Sequence, residues 1–193
     1  VFVSGHTPVG KHETSLEGIT QRAFHGLGGV IISDNIGPFN LITAKGSYAY
    51  HLPVTNDLIL SLGTFIGLKQ YGVQSSTLEP CSDCSTPDPL LQFKTTIVPD
   101  ITLGLWGYAK RYYFGFASFQ LLNSRINVYN DVSGALSDGT YTQATHHWGT
   151  AGYKVNITSD LFIVPSFVIK YVSSAPLAFD LNFKLRYEDT YWV

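Results

Sequence analysis

Residues 178–189, AFDLNFKLRYED, alternate strictly between apolar and polar side chains. The apolar positions are Phe179, Leu181, Phe183, Leu185 and Tyr187, and the polar positions between them are Asp180, Asn182, Lys184, Arg186 and Glu188. Because successive side chains of a strand point to opposite sides, this pattern predicts a strand with one apolar and one polar face. A soluble sandwich would bury the apolar face in a protein core. An outer-membrane barrel would turn it to lipid and enclose the polar face.

Segments of the same kind recur along the chain, and their lengths favour the barrel. We predict strands at 1–8, 26–34, 40–52, 58–71, 97–109, 112–121, 146–157, 161–173 and 178–188, and one beginning at Tyr191. Most have about ten residues, close to the 9 to 11 that cross a bilayer at a tilt. From residue 54 onward, tight turns alternate with longer connections, of which 72–94 and 123–145 are the longest. This alternation is typical of outer-membrane barrels.

Charged side chains in the interior of the predicted strands fall on the face opposite the apolar one. They are Lys45, Lys69, Asp100, Lys154, Lys170, Asp180, Lys184 and Arg186. A charge on the lipid face costs about 2 to 4 kcal/mol at the bilayer midplane, which explains their exclusion from it. We therefore expect these eight side chains to face the lumen of an all-β, antiparallel transmembrane barrel. Asp180, Lys184 and Arg186 are expected to form a charge ladder, which would line a channel only if the lumen is open.

Aromatic residues and overall composition point the same way. Charged residues make up 13% of the chain and aromatics 14%, against about 25% charged in ordinary soluble domains. Many tyrosines, among them Tyr48, Tyr71, Tyr108 and Tyr113, stand near predicted strand ends, as in the interface girdles of barrels. The alternative is that Tyr and Phe are simply good strand residues, and strands 112–121 and 161–173 would also suit a sandwich core.

The apolar run at 58–68 is far shorter than the roughly 20 residues of a transmembrane helix, so the chain would cross a membrane only as strands. A net charge of −2 without a basic stripe gives no sign of nucleic-acid binding.

Few residues suggest site chemistry. Cys81 and Cys84 in CSDC offer half the ligands of a structural zinc site, so we interpret them as a local disulfide in a loop or as inert thiols. His146 and His147 are strand neighbours that point to opposite faces and suit a loop end better than a metal site. No hydrolase or metalloprotease motif is recognisable, so the residues alone suggest no catalytic or cofactor-binding site.

Several stretches taken together resemble the PorP/SprF family of the Bacteroidetes type IX secretion and gliding machinery. They are SDNIGPFN at 33–40, SYAYHLPV at 47–54, LSLGTFIGL at 60–68, YYFGFASFQLLN at 112–123, HHWGTAGYKVNIT at 146–158 and VPSFVIKYVSSAPLAFDLN at 164–182. The last stretch is the most specific. Family members are longer, so the resemblance implies that residues 1–193 form one partial barrel domain of about ten strands, with more strands before Val1 and after Val193. The CSDC loop departs from the family pattern.

The resemblance implies a non-enzymatic outer-membrane role in protein transport and gliding motility. Such a barrel would help large adhesin-type cargo to leave the cell or attach outside. Its partners would be outer-membrane lipid, type IX translocon subunits, the adhesin cargo and a periplasmic peptidoglycan-binding protein. From the residues alone, two alternatives stay open: an autonomous outer-membrane channel for small solutes, and a soluble β-sandwich that binds a ligand.

Overall fold

The computed structural model describes residues 1–9, 22–73, 95–127, 140–187 and 191–192. These residues form thirteen strands: β1 (Phe2–Val9), β2 (Phe24–Ile36), β3 (Phe39–Pro53), β4 (Leu58–Val73), β5 (Thr96–Ala109), β6 (Tyr112–Phe119), β7 (Arg125–Asn127), β8 (Thr140–Thr142), β9 (His146–Tyr153), β10 (Val155–Asn156), β11 (Leu161–Val172), β12 (Ala175–Tyr187) and β13 (Tyr191–Trp192). None of the described residues forms a helix long and apolar enough to cross a membrane.

Ten of these strands make one antiparallel sheet in the order β1-β2-β3-β4-β5-β6-β9-β11-β12-β13, with β10 paired to β11. Neighbours in the sheet are neighbours in sequence, except that the separate hairpin of β7 and β8 lies between β6 and β9, and β10 lies between β9 and β11. The all-β antiparallel prediction and all ten predicted strands are confirmed. Within the described residues the sheet does not close, because β1 and β13 end it without pairing to each other. An open antiparallel sheet of this kind is consistent with part of a barrel wall.

Burial is reversed relative to a soluble protein. The largest fully buried side chain is that of Asp100, and Thr43, Ser61, Lys69 and Thr102 are also buried. Large apolar side chains on the other face are exposed, for example Leu27, Ile31, Leu62, Ile66, Leu103, Phe116, Phe167, Phe179, Leu181 and Phe183. A continuous apolar surface of this extent is what a lipid-facing barrel wall presents. We call this the outer face, and the face that carries Asp100 the inner face.

Turns at the two ends of the sheet differ. At one end, Thr55 and Thr158 accept hydrogen bonds from the backbone amides of Leu58 and Leu161 and so close the short turns after β3 and β10. We call this the turn end. At the other end, the loop end, the connections after β4 and β6 are long, whereas β2 and β3 are joined only by Gly37 and Pro38. Gly37 has φ 58°, and Pro38 cannot adopt a positive φ, so the pair fits a type II′ hairpin turn.

The girdle prediction is wrong for three tyrosines. Tyr71, Tyr108 and Tyr113 lie on the inner face, because strand register places them with Lys69, Asp100 and each other. Tyr113 stacks on Trp106 with ring centroids 5.3 Å apart. On the outer face, Tyr48, Tyr112, Tyr153 and Tyr187 do lie toward the turn end. Proximity to a strand end therefore does not determine the face, which the alternation of side chains decides.

Two adjacent residues in the middle of β12 test which face meets lipid. Leu181 is on the outer face and 62% exposed, while Asn182 is on the inner face. We expect Leu181→Lys to lower barrel stability in lipid by about 2 to 4 kcal/mol, and Asn182→Lys to change it little. Urea unfolding of both variants in lipid vesicles measures the difference. A water-facing outer face would instead tolerate Leu181→Lys as well as Asn182→Lys.

Candidate functional site

Three charged side chains from adjacent strands meet on the inner face near the loop end. Lys45 on β3 contacts the Asp100 carboxylate on β5, and Lys69 on β4 contacts the same oxygen, Oδ2, at 3.1 Å. The Asp100 side chain is completely buried, and the two lysine side chains are 12% and 11% exposed. We call Lys45, Lys69 and Asp100 the charge cluster. Buried ions persist in proteins when they are paired in this way.

Strand register brings the cluster together. Lys45 is paired with Gly67 on β4, and Gly67 is paired with Asp100 on β5, so a glycine lies between the two opposite charges. With no side chain on Gly67, the Lys45 ammonium reaches across β4. A Cβ at Gly67 would lie 2.0 Å from the Ala44 carbonyl oxygen and 2.6 Å from the Lys45 Cα. The close approach of β3 and β4 therefore requires glycine at this position.

The cluster has one more positive than negative charge, and neutral groups bind the excess. Lys45 Nζ donates to Thr102 Oγ1 at 3.4 Å. With the Gln120 amide oriented to satisfy both of its ends, its oxygen accepts from Lys69 Nζ at 2.9 Å and its nitrogen donates to the Ala144 carbonyl at 2.8 Å. Among the described residues, neither carboxylate oxygen of Asp100 accepts a hydrogen bond of good geometry, and only Oδ2 contacts the two ammonium groups. The carboxylate is therefore held through Oδ2 alone.

The chain between β6 and β9 folds over this cluster. Leu121 N donates to the Ile101 carbonyl at 3.1 Å, and Ser124 Oγ donates to the Pro99 carbonyl at 2.9 Å, which attaches this segment to β5. The short strands β7 and β8 then pair with each other. Gln143 follows β8, is buried, and its Nε2 donates to Tyr71 Oη at 2.5 Å. This covering hairpin was not predicted from the sequence.

Further toward the turn end the inner face forms an open trough of about 710 Å³. Residues from β3 to β12 line it, among them His51, Phe65, Trp106, Phe119, Trp148 and Asp180. Strands as far apart as β3 and β12 can line one cavity only because the sheet curls toward its inner face. Most of this lining is aromatic or aliphatic, so the trough differs from the charge cluster beside it.

The other predicted inner-face charges make separate contacts. Lys170 Nζ lies 2.6 Å from Asp180 Oδ2 and 5.5 Å from the Trp148 ring. Both side chains of this pair are partly exposed. Asp180 is thus paired with the neighbouring strand β11. The charge ladder of Asp180, Lys184 and Arg186 stays a prediction.

At the turn end, cations surround one aromatic ring. Lys154 Nζ lies 3.6 Å and Arg186 Cζ 5.6 Å from the centre of the Phe162 ring. Phe162 is buried and is paired in register with Arg186. Lys184 lies opposite Val164 on the same face. Seven of the eight predicted charges thus take part in three groups of contacts on one face.

Two histidine-containing contacts lie on the outer face. His147 at the loop end of β9 shares a hydrogen bond of 2.8 Å with Ser118 and stacks on Phe116 and Tyr171. His25 near the turn end shares a hydrogen bond of 2.7 Å with Tyr48. Side chains that are part apolar and part polar suit the water boundary of a bilayer. In the part of the chain that the structure describes, no group of three or more His, Cys, Asp or Glu could hold a metal ion.

Sequence reasoning identified the charges but missed their partners. The residues that contact the charged groups or the hairpin above them belong to no recognisable sequence motif. They are Gln120, Tyr71, Gln143 and Phe162. One signal was present: Gly67 on the charged face of β4 marks a place where a long side chain can cross. Cys81 and Cys84 lie outside the described residues, so the disulfide stays a prediction.

Comparison with known proteins gives one match. A family model described as "Type IX secretion system membrane protein PorP/SprF" matches residues 1–193, the whole chain. Neither a curated protein nor a solved structure matches the chain.

Gly67 and Gly63 provide a matched test of the strand approach that the cluster needs. Both lie on the inner face of β4, but a Cβ at Gly63 would meet nothing closer than 3.7 Å. We expect Gly67→Ala to destabilise the barrel by about 1 to 3 kcal/mol or more, because β3 must move. Gly63→Ala should have little effect. Unfolding in detergent, followed by the heat-dependent gel mobility of the folded barrel, compares them; equal stability of the two variants would contradict the close approach.

Substitutions of Asp100 and Asp180 test whether burial determines how much an ion pair contributes to the stability of the barrel. Asp100→Asn leaves two buried ammonium groups without a counter-charge, so we expect a loss of about 3 to 5 kcal/mol. Asp180→Asn breaks a partly exposed pair, so we expect about 1 kcal/mol or less. Urea unfolding of the two variants measures both losses. A cost for Asp180→Asn as large as that for Asp100→Asn would show that burial is not what matters.

Proposed function

The chain belongs to the PorP/SprF family of type IX secretion system membrane proteins, and we propose that it is a non-enzymatic outer-membrane component that supports export or surface attachment of large adhesin-type cargo. The observation that carries the proposal is the reversed burial of the sheet. Its outer face is a continuous apolar surface, while its buried side chains include Asp100 and Lys69. A wall of this kind fits a membrane and leaves its loop end for partners.

The connections from residue 54 onward support an orientation. We place the turn end, where Thr55 and Thr158 close the short connections, toward the periplasm. The loop end, which carries the connections between β4 and β5 and between β6 and β9, then faces outward. Outer-membrane barrels have short periplasmic turns and longer external loops. In this orientation, cargo and translocon subunits meet the loop end, and a peptidoglycan-binding partner meets the turn end.

The inner face is proposed to line the lumen. Lys45, Lys69, Asp100, Lys154, Lys170, Asp180, Lys184 and Arg186 share this face, opposite the apolar outer face. We further propose that residues 1–193 are one barrel domain whose edges at β1 and β13 are covered by additional strands. The reason is that an open edge would leave backbone amides and carbonyls without hydrogen-bond partners in hydrocarbon.

The test is replacement of residues 74–94 by a short Asn-Gly turn in the native cell. We expect the amount of adhesin cargo at the cell surface to fall strongly, because this connection is a main part of the loop end. The folded barrel should stay in the outer-membrane fraction with its normal heat-dependent mobility. Quantitative mass spectrometry of surface proteins measures the cargo.

An exchange at the opposite end is the control. Replacing residues 54–57 by another four-residue turn alters the turn end and should leave cargo display unchanged. Normal display after loss of residues 74–94, with the barrel assembled, would contradict the role of the loop end. Recovery of the unaltered protein outside the outer-membrane fraction would contradict the localisation.

A further inference from the structure

We propose that residues 120–127 and 140–145, here called the inward hairpin, form a plug over the loop end of the lumen that the charge cluster latches to the barrel wall. The inference rests on the inner face being the lumen, as proposed above. It adds a closing device that is built from the wall and from the described residues 120–127 and 140–145.

The hairpin turns inward at its first residue. The backbone of Gln120 has φ 58° and that of Asn123 has φ 45°. Residues other than glycine seldom adopt this left-handed conformation. Between them the chain remains bonded to β5, and its side chains then meet Lys69 and Tyr71, which both belong to the inner face. A strand that simply continued β6 outward from the membrane would reach neither residue. The backbone thus accepts two uncommon conformations in order to turn into the lumen.

Burial shows what the inward hairpin covers. Beneath it, the inner-face residue Val98 is 4% exposed, and Ile126 on the hairpin itself is 2% exposed. Trp106 and Trp148, on the same face but lining the trough, are 41% and 43% exposed. The difference follows position along the lumen, since all of these are large apolar side chains. The loop end of β4 and β5 is therefore covered while the trough is open.

Lys69 connects the wall to the hairpin. Its ammonium lies 3.1 Å from Asp100 Oδ2 on the wall and 2.9 Å from the Gln120 amide oxygen on the hairpin. The other end of the Gln120 amide reaches the Ala144 carbonyl, which lies in the returning arm. One continuous set of contacts thus runs from Asp100 through Lys69 and Gln120 to Ala144, and it joins both arms of the hairpin to the wall.

The charges make this closure conditional. Covering three ions removes them from water, which is tolerated only while the carboxylate is paired with both ammonium groups and neutral groups bind the excess charge. Without Asp100, two ammonium groups would remain beneath the hairpin, and lifting the hairpin would hydrate them. An apolar contact would have no such dependence on a single side chain. The charge cluster is therefore a latch that holds the inward hairpin, and removal of the Asp100 carboxylate releases it.

Cysteine labelling tests the latch in the assembled protein. In a Cys81→Ser, Cys84→Ser background, Ile126→Cys and Tyr141→Cys place single thiols on paired strands of the hairpin, where the native residues are 2% and 63% exposed. We expect a membrane-impermeant maleimide to label Ile126→Cys about tenfold more slowly than Tyr141→Cys. Equal labelling rates in folded barrels would overturn the inward placement of the hairpin.

Two further substitutions release the latch from its two sides. Asp100→Asn removes the counter-charge, and Gln120→Asn shortens the hairpin's contact while tolerating the left-handed φ. Each should raise the labelling rate of Ile126→Cys about tenfold, whereas Asp180→Asn, which alters the pair with Lys170, should not. Gln120→Asn leaves the wall intact, so it decides the matter even if Asp100→Asn fails to assemble. An unchanged rate in Gln120→Asn would overturn the latch, and loss of cargo display would bear only on the secretion role.

Discussion

Within hydrocarbon, no water is present to bond a backbone amide or carbonyl, so each strand must obtain its partners from its neighbours. The rest of this structure depends on that constraint. It fixes long antiparallel strands in register, and the register then sends alternate side chains to lipid and to the interior. On β4, Leu62, Ile66 and Leu68 face outward, while the alternate residues Ser61, Gly67 and Lys69 face inward. The apolar outer surface and the buried charges therefore both result from the same pattern of backbone hydrogen bonds between strands.

On the inner face, the absence of a side chain at Gly67 determines how closely β3 and β4 pack. Gly67 lets β3 approach β4 and lets Lys45 reach Asp100 two strands away. The charge cluster in turn provides the surface on which the connection after β6 can fold back. Local geometry at one glycine, electrostatic pairing across three strands and the position of a loop are therefore coupled. The trough, which lacks such a cover, keeps its aromatic lining exposed.

The fold could be predicted from the sequence to a large extent, because alternation over ten or more residues is a strong signal. It placed the strands and assigned Lys45, Lys69 and Asp100 to one face. Their meeting at one point could not be predicted, since it depends on register across β3, β4 and β5. Strands β7 and β8 were missed because three residues are too few to show a period. Residue type led to the prediction that Tyr71, Tyr108 and Tyr113 belong to girdles. The alternation of side chains along their strands places them on the inner face instead.

The turn at Gly37 and Pro38 has a consequence for the outline of the molecule. Only two residues join β2 to β3, and Ser173 and Ser174 likewise join β11 to β12. The remaining chain at the loop end is attached to β4, β5, β6 and β9, which are adjacent in the sheet. The longer connections at this end are therefore all attached to the middle strands of the described sheet, while the hairpins on both flanks close in two residues. At these two flanking hairpins, a neighbour in the membrane plane meets strand ends that are joined only by Gly37 and Pro38 or by Ser173 and Ser174.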